Sequence, residues 1–305
     1  MARSTRRSYL QQVGALSGSL AAGLLSGCRA NGGVGTAVAE VRVGGKPFAE
    51  QRILGYLAFH RLAGVEGIQE VNEIGYGDSI ELWEATAAGT KDLYWEYTGT
   101  AWLRIHPRRE ERLTDPESLY ERVRDDAEAA GLRMGTPAPF SNEWVLVADT
   151  EWSDRTGITT ISGLVSHVEA GTTDLPMAVG EDFYHREDGW QGLTDHYGMN
   201  ASAVTALESG SFVVTSIGLT YELLSSGRAT VATGFNTDPH LADDRIVVLD
   251  DDRDFFLPYQ PAPTVHAATV SEYPAVLSVL EPVAASLDEP TMRESSSGSS
   301  TATSM

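Results

Sequence analysis

Between residues 41 and 104 the apolar positions switch repeatedly between a period of two and a period near 3.6. Val41 and Val43 alternate with Arg42 and run into Gly44-Gly45, which predicts a short strand. Ile53, Leu54, Leu57, Ala58 and Leu62 then recur every three or four residues, the stripe of an amphipathic helix. Pro47 suits the first turn of that helix, and Gly64 and Gly67 close it. Ile68 to Ile74 alternates again and predicts a second strand. Asp78 is placed to cap a helix over 79–88 that Gly89 ends. Asp92 to Tyr97 predicts a third strand, followed by a helix from about Ala101.

This β-α-β-α-β order predicts a parallel sheet with helices on its faces, an α/β class. Further along, the pattern predicts a polar helix over 115–130 and strands at 132–136, 143–149, 176–180, 211–216 and 245–249. Ligands of open α/β sheets sit off the carboxyl ends of the strands. The run DLYWEYTGTAWL, Asp92 to Leu103, turns the corner at such an end and carries Tyr94, Trp95, Tyr97 and Trp102 within twelve residues.

Length and charge narrow the classes. The 305 residues suffice for one large domain or two lobes, each with a core. The formal net charge is −21, from 22 basic and 43 acidic residues, and the only lysines are Lys46 and Lys91. An acid-rich, lysine-poor shell stays hydrated and dispersed in strong salt, the signature of a halophile's protein. It also argues against nucleic acid as a partner, since a phosphate backbone needs a basic face. The single cysteine, Cys28, excludes an intrachain disulfide and a cysteine-built metal site.

The first residues read as an address. Arg6-Arg7 precedes a weakly apolar Gly/Ala-rich stretch, and Leu25-Ser26-Gly27-Cys28 follows it. Residues 1–27 resemble a Tat-type lipoprotein signal peptide, cut before Cys28, whose thiolate would take the lipid. Cleavage would lower the net charge to −24, because residues 1–27 hold three arginines and no acid. Residues 28–39 read as a lipidated flexible tether and the Ser/Thr-rich residues 293–305 as a disordered tail.

Catalytic signatures are missing. The sequence has no Gly-x-Ser-x-Gly elbow, no phosphate loop of the Gly-x-x-x-x-Gly-Lys-Ser/Thr kind and no His-Glu-x-x-His. The seven histidines have no metal-ligand spacing, and Asp243-Asp244 and Asp250 to Asp252 read as solvated acidic edges. No catalytic residue, metal site or cofactor is expected. The aromatic residues beside polar turns have two readings, as core and rim of a sheet or as a cage for a cation. A quaternary ammonium donates no hydrogen bond and suits a dry box of ring faces, each contributing about 0.5–2 kcal/mol.

Three stretches carry a family resemblance: Val43-Gly44-Gly45-Lys46-Pro47-Phe48-Ala49-Glu50-Gln51, Glu96-Tyr97-Thr98-Gly99-Thr100 and Phe140-Ser141-Asn142-Glu143-Trp144. With Phe183-x-x-Arg186-x-Asp188-Gly189, Thr237-Asp238 after Phe235, and Asp251-Asp252-x-x-Phe255-Phe256-x-Pro258-Tyr259, they resemble the substrate-binding proteins of ABC importers for glycine betaine, choline and related quaternary amines.

The resemblance implies a two-lobed, type II periplasmic-binding-protein-like fold with a hinge and an interlobe ligand cleft. Residues 40–142 plus 250–292 would form one lobe and 143–249 the other. It implies an aromatic box of Tyr97, Trp144, Phe235 and Tyr259, a carboxylate clamp at Arg186, and supporting donors Lys46, Thr100 and Asn142. The family commonly carries Tyr at positions 144 and 235, where this chain has Trp and Phe. The partners implied are a small quaternary amine, membrane permease subunits and, through Cys28, the extracytoplasmic face of the membrane. Choline, carnitine or another amine as ligand, or a membrane-anchored sensing role, are the alternatives. A surface-anchored hydrolase would need a nucleophile beside a base, and the sequence offers none.

Overall fold

The computed structural model describes residues 39–300, with side chains through Ser295. Cys28, the expected signal peptide and nearly all of the expected tether lie outside the described residues. Ten strands form two five-stranded sheets. They are β1 (Ala39–Gly45), β2 (Ile68–Ile74), β3 (Leu93–Tyr97), β4 (Leu132–Met134), β5 (Trp144–Asp149), β6 (Met177–Gly180), β7 (Phe212–Thr215), β8 (Val231–Phe235), β9 (Ile246–Leu249) and β10 (Pro261–His266).

The first sheet has the order β2-β1-β3-β10-β4 and the second β7-β6-β8-β5-β9. In each, three parallel strands meet one antiparallel strand that arrives from the other sheet. β10 runs antiparallel to β3, and β5 antiparallel to β8. The chain leaves the first sheet after β4, enters the second at β5, leaves it after β9 and returns as β10. The two crossing segments lie side by side. Ala138 N donates to the Pro261 carbonyl and Asn142 N to the Tyr259 carbonyl, both at 2.9 Å, and Tyr259 N donates to Ser141 Oγ at 2.7 Å.

Local chemistry explains the elements that frame these crossings. Asp78 Oδ1 accepts from the amides of Ile80 and Glu81 while Glu81 reaches back to the Asp78 amide, closing the helix Ser79–Ala87 with a capping box. All five residues of β3 are buried. Tyr94 packs toward Leu119, Val123 and Leu132, and Trp95 packs with Leu54 and Met292. Period-two alternation thus sends the neighbours Tyr94 and Trp95 into two cores on opposite faces of one strand.

The structure adds β8 and β10 to the sequence expectations, sets an antiparallel strand inside each sheet, starts the first helix at Ala49, past Pro47, and departs from them locally as well. The helix expected from about Ala101 begins at Thr98, directly on β3, and runs to Arg104. A helix spans Glu289–Ser300, although residues 293–305 were read as a disordered tail. Met292 is fully buried, and Arg293 donates from Nε to the Asn236 carbonyl at 2.9 Å, so tertiary contacts hold a segment whose serines favour helix only weakly. Asp251 is no solvated edge: it accepts from the Phe256 amide at 2.7 Å and the Tyr197 hydroxyl at 2.5 Å.

Candidate functional site

The carboxyl ends of the parallel strands and the starts of the antiparallel ones fall on the same edge of each sheet. Tyr97 ends β3 opposite Pro261 at the start of β10. Phe235 ends β8 opposite Trp144 at the start of β5. Directly opposed residues of an antiparallel pair present their side chains on one face. The Trp144 and Phe235 rings accordingly lie 4.2 Å apart, centroid to centroid.

Phe48, just before the helix Ala49–Leu62, extends this pair into a row. Its ring stacks 6.2 Å from Tyr97 and 6.3 Å from Phe235, with planes within 23° and 18°. Rings from both sheets therefore stand in one sequence, Tyr97, Phe48, Phe235, Trp144, with Phe183 at 5.1 Å beyond Trp144. Phe48 was not among the expected box residues, yet it stacks between Tyr97 and Phe235. Tyr259 touches none of these rings within stacking distance and joins the site through its hydroxyl, which donates to Asp188 Oδ2 at 3.1 Å.

The turn that carries Tyr97 needs glycine for a steric reason. A Cβ on Gly99 would sit 2.8 Å from the Pro258 carbonyl oxygen and 2.9 Å from the Tyr259 ring. The missing side chain lets the helix Thr98–Arg104 start against the returning crossing segment. Thr98 reinforces the contact, donating to the Pro258 carbonyl at 3.0 Å. Thr100 is buried in the same turn but takes part in none of the site's hydrogen bonds.

The two expected cations both arrive paired. Arg186 follows the short helix Glu181–His185 after β6 and binds Asp188 through both Nε, at 2.8 Å from Oδ1, and a terminal nitrogen against Oδ2. Its guanidinium carbon lies 5.9 Å from the Trp144 ring centroid. Burial works against charge on both groups. Their mutual hydrogen bonds outweigh it, raising Arg186 and holding the Asp188 carboxyl below its usual range. Lys46, at the end of β1, places Nζ 2.7 Å from Glu96 Oε1 and 4.7 Å from the Tyr97 ring centroid. Burial lowers its pKa against the pull of Glu96, and Arg186 is close enough to add repulsion. Each cation keeps N–H groups beyond those its own carboxylate uses.

Asn142 is buried on the first crossing segment and leads to a residue that sequence reading missed. Glu50, only 4% exposed, lies in the first turn of the helix that follows Phe48. Its Oε1 accepts from the Tyr97 hydroxyl at 2.6 Å and from Asn142 Nδ2 at 3.0 Å, and its Oε2 accepts from Thr237 Oγ1 at 2.9 Å. Thr237 follows β8, so this carboxylate ties the first sheet, a crossing segment and the second sheet together. Burial pushes its pKa up to about 7, only partly offset by the bonds from Tyr97, Thr237 and Asn142. Burial and then Glu50 itself keep the Tyr97 phenol protonated and donating. Phe48, Glu50 and Thr237 all stand inside the motif stretches; the signal available was an aromatic and an acid flanking one alanine in KPFAEQ.

Among the described residues no cluster of His, Cys, Asp and Glu could hold a metal ion, and no helix is long and apolar enough to cross a membrane. A cavity of about 390 Å³ lies elsewhere, between Trp102, Arg109, Leu113 and Arg122, and contains none of the expected site residues.

Residues 39–297 match the family described as the substrate binding domain of ABC-type glycine betaine transport system. The chain is 31% identical to a chemotactic signal transduction system substrate-binding protein of Halobacterium salinarum, over 79% of this chain and 73% of that one. It is 30% identical to a glycine-betaine-binding protein of Pseudomonas aeruginosa, over 85% and 82%. The fold superposes on apo YehZ of Escherichia coli with a TM-score of 0.61 at 25% identity, covering 85% of this chain and 92% of that one. The two-sheet architecture is that of type II periplasmic binding proteins, as expected.

Proposed function

The chain belongs to the family of substrate-binding domains of ABC-type glycine betaine transport systems, and we propose that it captures a quaternary ammonium osmolyte of the glycine betaine type. As the solute-binding component of such a system it is not an enzyme. The observation that carries the ligand reading is the row of rings, two from the side of each sheet, with Lys46 over the Tyr97 ring and Arg186 beside the Trp144 ring. A methylated nitrogen gains from several electron-rich faces at once, and a carboxylate gains from the two cations.

In this reading Tyr97, Phe48, Phe235 and Trp144 hold the ammonium, Arg186 and Lys46 bind the carboxylate, and Tyr259 with Asp188 keeps Arg186 in place. Asn142 and Thr100 line the site. Residues 40–142 plus 250–292 form one lobe and 143–249 the other, hinged at the two crossing segments. Ligand touching both lobes favours the closed form and presents it to an ABC permease. Cys28, lipidated after removal of residues 1–27, would hold the protein at the extracytoplasmic face of the membrane. The acid-rich, lysine-poor composition fits a strongly saline medium.

The likeness to a chemotactic substrate-binding protein supports a second reading, in which occupancy is reported to a membrane receptor rather than used for import. The two share the site and differ in the partner. Calorimetry with glycine betaine, proline betaine, choline and carnitine in molar salt tests the ligand class. Tyr97→Ala and Arg186→Ala should each weaken glycine betaine binding at least tenfold, about 1.4 kcal/mol. Unchanged affinity in both would put the site elsewhere.

A further inference from the structure

Among the charged groups that touch a ring or ring hydroxyl of this row and its Tyr259 neighbour, one carboxylate has no cation. Lys46 is matched by Glu96 and Arg186 by Asp188. Glu50 belongs to no ion pair among the described residues, yet it is buried and bonded to the hydroxyl of a cage ring. A buried site tolerates net charge poorly. With Glu50 ionised, the set is balanced by a ligand of net charge +1; with Glu50 protonated, it is balanced by a zwitterion.

We propose that Glu50 is the specificity-determining counter-charge of this site, and that binding of a net cation expels one proton from it whereas binding of a zwitterion does not. The exchange is Glu50–COOH plus L⁺ giving Glu50–COO⁻·L⁺ plus H⁺, with the proton leaving to solvent. This deepens the quaternary-amine reading and rests on it.

The hydrogen bonds around Glu50 suit both states. Ionised, the carboxylate accepts from Tyr97, Asn142 and Thr237. Protonated on Oε2, it donates to Thr237 Oγ1, whose own hydrogen then turns to Asn142 Oδ1, 3.3 Å away. Oε1 goes on accepting from Tyr97 and Asn142. A hydroxyl can donate or accept, so Glu50 keeps its three partners in both states, and the Thr237 hydrogen is free to reach Asn142 Oδ1 only when Glu50 is protonated.

The other charged groups facing this corner favour the proton in the empty protein. Asp238, three residues past the end of β8, adds negative charge. Lys46 lies across the Tyr97 ring but is engaged by Glu96, and Arg293 is directed to the Asn236 carbonyl and Glu289. Burial together with Asp238 brings the Glu50 titration to about pH 7.

Choline and glycine betaine do not titrate between pH 5.5 and 8.5, so calorimetry in two buffers of different ionisation enthalpy reads the protein's own proton. For choline, close to one proton should be released at about pH 6 and almost none at about pH 8.5, with affinity rising close to tenfold per pH unit below about pH 6.5. Glycine betaine should release none at either pH. In Glu50→Gln the choline release should vanish and the choline-to-betaine affinity ratio should become independent of pH.

Choline binding without proton release in the wild type, or with the same release in Glu50→Gln, would overturn the proposal while leaving the ligand class intact. Failure of both ligands to bind the folded wild type would overturn the ligand class and the proposal together. The wild-type measurement stands even where the variant does not fold.

Discussion

The indole of Trp144 and the ring of Phe235 face each other across one antiparallel register pair, 4.2 Å between centroids and tilted by 32°. One residue opens a crossing strand and the other ends a parallel strand, so the backbone ladder itself fixes the spacing of the two faces. Their value to a ligand is set by ring electrons rather than by hydroxyls. Trp144→Ala should weaken quaternary-amine binding by about tenfold, whereas Phe235→Tyr should stay within about threefold of wild type. The neutral carbon isostere of choline should bind weakly to wild type and lose little in Trp144→Ala. Calorimetry that showed equal losses for the charged and neutral ligands would reduce the pair to packing.

Gly99 is where the cage turn and the returning chain meet most closely. A methyl group there collides with a backbone carbonyl that hydrogen bonds to Thr98 and cannot swing aside. Gly99→Ala should destabilise the fold by about 1–3 kcal/mol in denaturant titration. It should also displace the Tyr97 and Tyr259 rings and lower ligand affinity. A neutral Gly218→Ala, where nothing lies within 4 Å of the added carbon, is the control.

The residues that could be read from the sequence are those whose local pattern and structural role coincide. β1 alternates at Val41-Arg42-Val43, β2 and β3 are short runs rich in β-branched and aromatic residues between turn signals, and the glycines and the aspartate cap between them are local signals, so the first half of the fold was legible. β10 was not, because PAPTVH holds two prolines. In the structure the carbonyls of Pro261 and Pro263 accept from Ala138 and Gly135, on the side away from β3, so the missing N–H groups cost the β3 ladder nothing. The rings and Arg186 were visible as motif residues. Their partners stood in the same stretches without showing their roles, since Glu96, Asp188 and Glu50 acquire those only where two sheets and two crossings bring distant residues together. Glu50 and Thr237 are 187 positions apart, and no period along the chain connects them.

The buried pair of Lys46 and Glu96 should show the asymmetry expected of an ion pair removed from water. Glu96 also accepts from the Tyr94 hydroxyl at 3.1 Å, the Tyr97 amide at 2.8 Å and Ser79 Oγ at 3.3 Å, so it organises the base of the cage strand. Lys46→Met leaves that carboxylate buried without a cation and should cost about 3–5 kcal/mol in denaturant unfolding. Lys46→Met combined with Glu96→Gln should recover a large part of the loss, because the second change removes the stranded charge. Losses that simply add would mean that the two side chains do not interact energetically.

Glu50 carries a pH signature of its own in the absence of any ligand. Its folded-state pKa, about 7, lies above the ordinary value of 4.5, so between those limits the folded protein holds a proton that the unfolded chain has released. Stability from this group is therefore fully present below about pH 4.5 and is lost as pH rises through about 7, an effect of about 3 kcal/mol. The acid-rich surface contributes self-repulsion of the same sign over the lower part of that range, but molar salt screens exposed charges and leaves the buried one. Urea titrations in molar salt from pH 4.5 to 8 should show the wild type losing stability across the window, with Glu50→Gln markedly flatter. Parallel curves for the two proteins would mean that Glu50 is ionised throughout and that its bonds to Tyr97, Asn142 and Thr237 suffice to hold a bare carboxylate in the core.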